Sequence, residues 1–172
     1  MRRRRRRGFA WWSGLVVLVA VLGVVGTSTV MNWGRPWAPL FGQRYFMVDD
    51  EAMLPTYTPG ARVWATRLDP TTRPFLKRGM LVVLDDPRRP GRIIVRRIVA
   101  LEGDTVKGSS GALVVNSKTL DEPYLTLGVP TADFGPVTVP NDQVYLMGDN
   151  RDATVDSRTF GPITLTELRF RV

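Results

Sequence analysis

The segment Asp49 to Thr56, with the sequence DDEAMLPT, places three acidic residues directly before a Met-Leu-Pro-Thr run. Proline fixes one backbone angle and stiffens the turn that contains it, so this loop is suited to hold one side chain in a defined position. The residue between the acids and the turn is Ala52, which presents only a methyl group. Taken alone, the segment is also typical of an ordinary strand-to-turn connection.

Two other segments concentrate polar side chains. Arg96 and Arg97 interrupt an apolar stretch, and in a strand their side chains would point to opposite faces. The segment from Gly148 to Arg158, GDNRDATVDSR, combines aspartate, asparagine and arginine. By itself it is also typical of a turn rich in side-chain-to-backbone hydrogen bonds or of a surface ion-pair cluster.

The composition excludes several kinds of chemistry. The chain has 172 residues with no His and no Cys, so it lacks an imidazole base and the common zinc ligands. No glycine-rich phosphate loop is present, and the acidic clusters lack the spacing of a calcium loop. The sequence therefore predicts neither a metal nor a cofactor.

The positive charge of the chain is concentrated at its N-terminus. The formal net charge is +8, but Arg2 to Arg7 supply six of the 24 Lys and Arg residues. The other 18 nearly balance the 16 acidic residues. We therefore predict no nucleic-acid partner, because a nucleic-acid surface requires clustered basic residues on the folded domain.

An uncharged stretch from Gly8 to Gly34 follows the arginines, and its centre from Leu15 to Val25 is almost wholly aliphatic. A bilayer core needs about 20 apolar residues in a helix, and Lys and Arg flanking a span stay in the cytoplasm. We predict a basic cytoplasmic N-terminus at 1–8, a transmembrane anchor at 9–33 and a connector at 34–44. A cleaved signal peptide has a shorter apolar region and a small-residue exit, which this stretch lacks.

The remainder, 45–172, is predicted to be a compact, mostly β domain with largely antiparallel strands, outside the plasma membrane. Short apolar runs of strand length alternate with Pro- and Gly-containing turns. A more polar segment at about 106–137 is interpreted as a hairpin insertion over the main sheet. The apolar runs are Leu81–Leu84, Ile93–Val95, Ile98–Leu101, Leu113–Val115 and Val144–Met147.

Taken together and in this order, these segments resemble the sequence boxes of type I signal peptidases. Ala52 to Thr56 resembles the family's Ser-Met-x-Pro-Thr box, and Arg96 to Asp104 resembles its Lys-Arg-Val-x-Gly-x-Pro-Gly-Asp box. Val139 to Gly161 matches most closely, since it contains Gly-Asp-Asn-Arg and Asp-Ser-Arg in the family's register. Arg78 to Asp85 and Asn116 to Tyr124 resemble two further boxes. The resemblance implies a mostly β catalytic domain that cleaves signal peptides after small residues.

The family uses a Ser nucleophile and a Lys general base, and the resemblance places these roles at Ala52 and Arg96. Thr154 replaces a supporting Ser and keeps its oxygen, whereas Ala100 and Glu102 replace a Gly and a Pro. The resemblance implies a supporting shell of Asp50, Arg97, Asp149, Asn150, Thr154, Asp156 and Arg158. It implies substrate-binding positions at Met53, Leu54, Pro55, Ile94 and Val95.

These replacements remove the groups on which the family's reaction depends. Ala52 has no hydroxyl to attack a carbonyl, and the Arg96 guanidinium cannot be deprotonated in a protein. A lysine can serve as base because burial lowers the pKa of its amine. Asp50 stands where many relatives carry a residue that helps to bind the oxyanion, and its carboxylate would oppose developing negative charge. Thr56 and Thr58 do not occupy the nucleophile position.

The charged residues suggest two ion pairs. Asp50 or Glu51 could pair with Arg96 and close the site, although solvated, unpaired charges are an equally good interpretation. Asp156 and Arg158 are expected to brace the turn behind the site.

Three functions are compatible with this sequence. The first is a single-pass membrane protein without catalytic activity that binds extended peptides, preproteins or a membrane-protein partner. The second is an active signal peptidase with an atypical site. The third is a structural subunit of a membrane complex.

Overall fold

Two antiparallel β-sheets form the described part of the chain. The computed structural model describes residues 42–125 and 129–172. The predicted cytoplasmic segment 1–8, the anchor 9–33 and most of the connector 34–44 lie outside the described residues. Within the two described ranges, no helix combines the length and the apolar character that crossing a membrane requires.

The larger sheet has seven strands, and all of its pairings are antiparallel. Its strands are β1 (Gln43–Met47), β2 (Arg62–Arg67), β3 (Leu81–Asp85), β4 (Ile93–Leu101), β9 (Gln143–Met147), β10 (Ile163–Thr164) and β11 (Leu168–Arg171). Their spatial order is β1-β2-β11-β3-β4-β9-β10. The prediction of a mostly β, antiparallel domain is confirmed. Strand β1 begins inside the segment predicted to be a connector.

The smaller sheet has four antiparallel strands, and their spatial order is β7-β6-β5-β8. The segment interpreted as a hairpin insertion, about 106–137, contains most of this sheet. Its strands are β5 (Thr105–Ser109), β6 (Ala112–Val115), β7 (Lys118–Thr119) and β8 (Phe134–Thr138). A 3-10 helix spans Arg73–Phe75, and helix α1 spans Ser157–Phe160.

Strands β3 and β4 are buried on both faces of the larger sheet. Val82 and Ile94 belong to one apolar cluster, and Val83 and Val95 belong to another. Because side chains alternate across a strand, a strand with a core on each side needs an unbroken apolar sequence. This requirement explains the continuous apolar run of β3, whose first four residues are all buried.

Strand β4 runs without a break through Arg96 and Arg97, so the two predicted apolar runs form one strand. In the sequence the two arginines divide the apolar stretch, and charged side chains are rarely buried without partners. Both arginines are nevertheless buried, at 2% and 8% exposure, and both have acidic partners. Residues 93–97 pair with β3, and residues 97–101 pair with β9. The first half of β4 therefore has a strand on only one side among the described residues.

Asp104 joins the end of β4 to the smaller sheet. Its carboxylate accepts hydrogen bonds from Arg78 Nε at 2.9 Å and Nη2 at 2.5 Å, and from the Leu101 N–H at 2.7 Å. The Asn116 side-chain amide donates at 2.7 Å. Burial alone would raise the pKa of Asp104, but these donors together lower it below its ordinary value.

We expect Asp104→Asn to lower the free energy of unfolding at pH 7 by about 2 kcal/mol, because hydrogen bonds to the charged carboxylate are lost. Because folding lowers the pKa of Asp104, this carboxylate contributes its full stabilisation at any pH above the pKa that Asp104 has in the unfolded chain. The stabilisation is lost as pH falls through the lower, folded-state pKa. Denaturant unfolding of parent and variant at pH 7 and at acidic pH measures the difference, which must shrink on acidification. Exposed Asp121→Asn is the matched control.

Candidate functional site

The loop that carries Ala52 is anchored by Met53. The Met53 side chain is fully buried in the apolar cluster that contains Val63, Val83 and Val95. The Leu54 N–H donates to the Glu51 carbonyl at 3.1 Å, which closes a tight turn around Ala52. The methyl group of Ala52 is therefore held in a fixed, buried position, with 1% of the residue exposed.

The Gly148–Asn150 segment clamps this loop from the other side. The Asn150 N–H donates to the Ala52 carbonyl at 2.9 Å, and its side-chain amide donates to the Glu51 carbonyl at 3.2 Å. A Cβ on Gly148 would lie 2.6 Å from the Ala52 carbonyl oxygen and closer still to Thr154 Oγ1. Because such contacts are sterically forbidden, residue 148 has to be glycine for the two segments to meet.

Asp50 forms the polar centre of the site. One carboxylate oxygen accepts the Ala52 N–H at 3.2 Å. The other accepts from Arg92 Nη2 at 3.2 Å and from Arg96 Nη2 at 3.3 Å. Of the two acids considered as partners for Arg96, the structure thus places Asp50 beside it. The backbone donor next to the nucleophile position is already occupied by a carboxylate.

Arg96 fills the position that the resemblance assigns to a base. Besides Asp50, its guanidinium donates to the Val155 carbonyl at 3.1 Å and to the Val95 carbonyl at 2.6 Å. Burial lowers the pKa of Arg96 below its ordinary value, and the charge of Asp50 opposes that effect. A guanidinium nonetheless keeps its proton in proteins, so Arg96 cannot take a proton from a nucleophile.

Arg97 points to the opposite face of β4 and has a separate partner. It donates to the Asp149 carboxylate at 2.8 and 2.6 Å and to the Gly79 carbonyl at 2.6 Å. Its guanidinium carbon lies 3.8 Å from the centre of the Tyr124 ring, which is cation–π geometry. The Thr56 hydroxyl donates to the same Asp149 carboxylate at 2.5 Å. This network ties the Ala52 loop to β4.

Asp156 and Arg158 form the second ion pair, at 2.9 Å. Asp156 is fully buried and caps helix α1 by accepting the Arg158 N–H at 3.0 Å. It also accepts the Gly148 N–H at 3.2 Å, and Arg158 donates to the Arg151 carbonyl at 2.8 Å. The pair thus holds the turn that contacts Ala52.

Thr154 lies beside Gly148, and its hydroxyl oxygen is buried. Among the residues that the structure describes, no hydrogen-bond partner lies within reach of this oxygen. The resemblance assigns to Thr154 the hydroxyl that supports the family's lysine. Arg96 instead donates to the carbonyl of Val155, the residue after Thr154. The chain thus keeps the hydroxyl at this position and lacks the lysine amine that the hydroxyl would support.

The predicted substrate-binding residues do not share one environment. Met53 and Ile94 are buried in the two cores, at 0% and 4% exposure, where a peptide cannot touch their side chains. Leu54 is half-buried and Pro55 is exposed. Val95 has a buried side chain, but it belongs to the half of β4 that has one neighbouring strand among residues 42–125 and 129–172.

The sequence analysis missed a basic pocket next to Asp50 and Arg96. Its signal was present in the sequence, since three arginines lie between Asp86 and Ile93. The pocket has a volume of about 240 Å³ and is lined by Asp50, Asp86, Arg88, Arg89, Arg92, Arg96, Ala153 and Val155.

Comparison with known proteins shows the family of this chain. The family model described as signal peptidase, peptidase S26, matches residues 15–171. Signal peptidase I of Bacillus amyloliquefaciens is 34% identical over 156 residues, which is 86% of this chain and 76% of that protein. Signal peptidase I S of Bacillus subtilis (strain 168) is 32% identical over 166 residues, with 90% and 80% covered.

A solved structure shows the same relationship in three dimensions. The crystal structure of a signal peptidase I from Enterococcus faecalis V583 matches with a TM-score of 0.50 and 25% sequence identity. The match covers 56% of this chain and 96% of that chain. Fold and site together define a β scaffold of the serine-peptidase type. More specifically, the chain belongs to the signal peptidase family, peptidase S26.

A double-mutant cycle tests the Asp50–Arg96 interaction. We expect the effects of Asp50→Asn and Arg96→Gln on the free energy of unfolding to be coupled by about 1–2 kcal/mol, because Arg96 is buried and Asp50 is its charge partner. The half-exposed Asp85–Arg169 pair, at 2.9 Å, is the control and should show coupling below about 0.5 kcal/mol. Additive effects at Asp50 and Arg96 would show that the pair does not hold the site together.

We expect Asp156→Ala to lower the free energy of unfolding by about 3 kcal/mol, since it leaves Arg158 without its charge partner and the Gly148 N–H without its acceptor. Denaturant unfolding provides the measurement, with exposed Asp152→Ala in the same segment as the control. A variant as stable as the parent would contradict the bracing role.

Proposed function

We propose that this chain is a membrane-anchored, non-catalytic member of the signal peptidase family that binds extended peptides of exported proteins at the outer face of the membrane. One observation carries the proposal. The Asp50 carboxylate bridges the backbone N–H of Ala52 and the guanidinium of Arg96, at the two positions where the family's reaction requires a nucleophile and a base.

Loss of catalysis follows from the chemistry of these groups. Attack on a peptide carbonyl needs an oxygen nucleophile whose proton passes to a neutral base. The oxyanion that forms is stabilised by preorganised donors, and the Ala52 N–H is the donor nearest to the nucleophile position. Here a methyl group stands at the nucleophile position and a guanidinium at the base position. The Ala52 N–H already donates to the Asp50 carboxylate.

Peptide binding is supported by the edge of β4. The Ile98 N–H donates to the Met80 carbonyl at 2.9 Å, and the Ile98 carbonyl accepts from the Gly79 N–H at 2.8 Å, both on the β3 side. Because backbone groups alternate along a strand, those of Ile93 and Val95 face the other side, where no described strand pairs with them. An extended peptide can add there as a further strand.

The membrane location rests on the N-terminal sequence. The uncharged stretch at 9–33 is long enough to span a bilayer, and Arg2 to Arg7 place its N-terminal end in the cytoplasm. The β domain is then on the extracytoplasmic side, where peptides leave the export machinery.

One observation favours a second candidate, an active peptidase with an atypical site. The Thr56 hydroxyl lies in the same loop as Ala52 and donates to the Asp149 carboxylate at 2.5 Å. A carboxylate can act as a general base. However, both oxygens of the Asp149 carboxylate already accept hydrogen bonds from Arg97, at 2.8 and 2.6 Å, so the carboxylate is engaged in an ion pair.

A cleavage assay separates the two candidates. Full-length parent protein in detergent should not cleave a preprotein with an Ala-x-Ala site above the rate without enzyme. Ala52→Ser with Arg96→Lys should recover little activity, because Asp50 would keep the lysine charged and cover the residue 52 N–H. Adding Asp50→Ser should give measurable cleavage. Electrophoresis with N-terminal sequencing of the product provides the readout.

Cleavage by the parent that disappears in Thr56→Ala would establish the atypical peptidase instead. Binding of a labelled, extended Ala-x-Ala peptide to the parent tests the binding role directly. An inactive parent that binds no such peptide but co-purifies stoichiometrically with one membrane protein would indicate a structural subunit.

A further inference from the structure

The basic pocket beside the site has more positive than negative groups. Four arginines and two aspartates line it, which is a formal excess of two positive charges. Asp50 is shared by Arg92 and Arg96, and Asp86 accepts the backbone N–H of Arg88 at 2.9 Å. Within residues 42–125 and 129–172, neither Arg88 nor Arg89 has a side-chain ion pair. The pocket therefore has unused cationic donors.

The turn that carries these arginines is held in one conformation. The Asp86 N–H donates to the Arg92 carbonyl at 2.8 Å, and the Arg89 N–H donates to the Asp86 carbonyl at 3.1 Å. Gly91 adopts a φ of +85°, a conformation that side chains other than glycine rarely take. The backbone that carries the arginines is thus preorganised, which lowers the entropic cost of ordering this turn around a ligand.

Asp50 is held less tightly than the buried carboxylate of Asp149. Its bonds to Arg92 and Arg96 are 3.2 and 3.3 Å long, whereas Arg97 binds Asp149 at 2.6 and 2.8 Å. Charge-assisted bonds of this type are usually 2.7–2.9 Å long. The Asp50 side chain is also 26% exposed, against 1% for Asp149. A ligand carboxylate can therefore compete with Asp50 for these arginines.

We infer that the pocket binds a carboxylate carried by the extended peptide, and that Asp50 is the internal group that this carboxylate displaces. This inference rests on the proposed peptide-binding function and adds a specificity to it. Arginine is suited to the task because its planar donors match a carboxylate in a bidentate arrangement.

The position of the pocket identifies a peptide as the source of the carboxylate. Arg96 both lines the pocket and donates to the Val95 carbonyl, on the edge of β4 where a peptide strand would add. A peptide on that edge would therefore run beside Arg96, which lines the pocket. The carboxylate belongs either to an aspartate or glutamate side chain or to a free C-terminus.

Fluorescence polarisation with full-length protein in detergent tests the inference. The probes are labelled, C-terminally amidated nonapeptides containing Ala-x-Ala, with one Asp placed at each position in turn and Asn as the matched neutral residue. We expect one position, or two adjacent ones, at which Asp binds about tenfold more tightly than Asn. A second arm compares a free C-terminal carboxylate with the amide.

Variants connect the preference to the pocket. Arg88→Gln with Arg89→Gln should reduce the preference for Asp to less than about twofold and leave the affinity for the Asn peptide unchanged. Asp50→Asn should strengthen binding of the Asp peptide several-fold, because the internal competitor is removed. Arg67→Gln with Lys77→Gln removes the same charge outside the pocket and should leave the preference intact.

The unfavourable outcomes are distinguishable. Equal binding of Asp and Asn peptides, with and without a free C-terminus, overturns the carboxylate site and leaves the proposed function standing. If the protein binds neither the Asp peptide nor the Asn peptide, both the carboxylate site and the proposed peptide-binding function are overturned. A preference that survives Arg88→Gln with Arg89→Gln removes the pocket as its source. Binding to vesicles of anionic lipid is compared for the parent and the same variant. If the variant loses affinity for these vesicles and not for the Asp peptide, the pocket binds lipid headgroups and the inference fails.

Discussion

The site depends on two adjacent guanidinium groups that are buried in the middle of one strand. A buried charge is tolerated only when opposite charge and hydrogen bonds compensate for lost hydration. Arg97 meets this condition through Asp149 on one face of β4, and Arg96 meets it through Asp50 at the other. Each carboxylate belongs to a different loop, so burial of the arginines brings the Ala52 loop and the Gly148–Arg158 segment to the same strand.

This constraint explains how the site keeps its shape with Ala52 and Arg96 at the positions that the resemblance assigns to a serine and a lysine. Arg96 donates to Val95, Val155 and Asp50, so it fills the place of a base with hydrogen bonds that organise the surrounding backbone. Asn150 and Asp156 hold the loop and the turn independently of any reactive group. The scaffold therefore keeps a shaped, polar cleft around Ala52 and Arg96.

Much of the fold could be predicted from apolar runs and turn residues, because strands buried on both faces require such runs. The half-exposed strands β1 and β2 were missed, since their burial comes from tertiary packing that the local pattern barely shows. The single strand β4 was likewise not evident, because the partners that allow Arg96 and Arg97 to be buried come from segments distant in sequence. The resemblance identified the residues that surround Ala52 and Arg96. It did not predict that the Met53 side chain is buried in the hydrophobic core. The basic pocket depends on how a turn folds over a loop distant in sequence.

The hydrogen bond from Arg96 to the Val95 carbonyl has a consequence for solubility. An open strand edge is a template for pairing with other copies of the same chain, and proteins often protect such edges with charge. Here a buried cation covers one carbonyl of the unpaired half of β4. The guanidinium of Arg96 thus discourages self-assembly at the Val95 carbonyl, and under the proposed function a bound peptide strand would cover the backbone groups beside it.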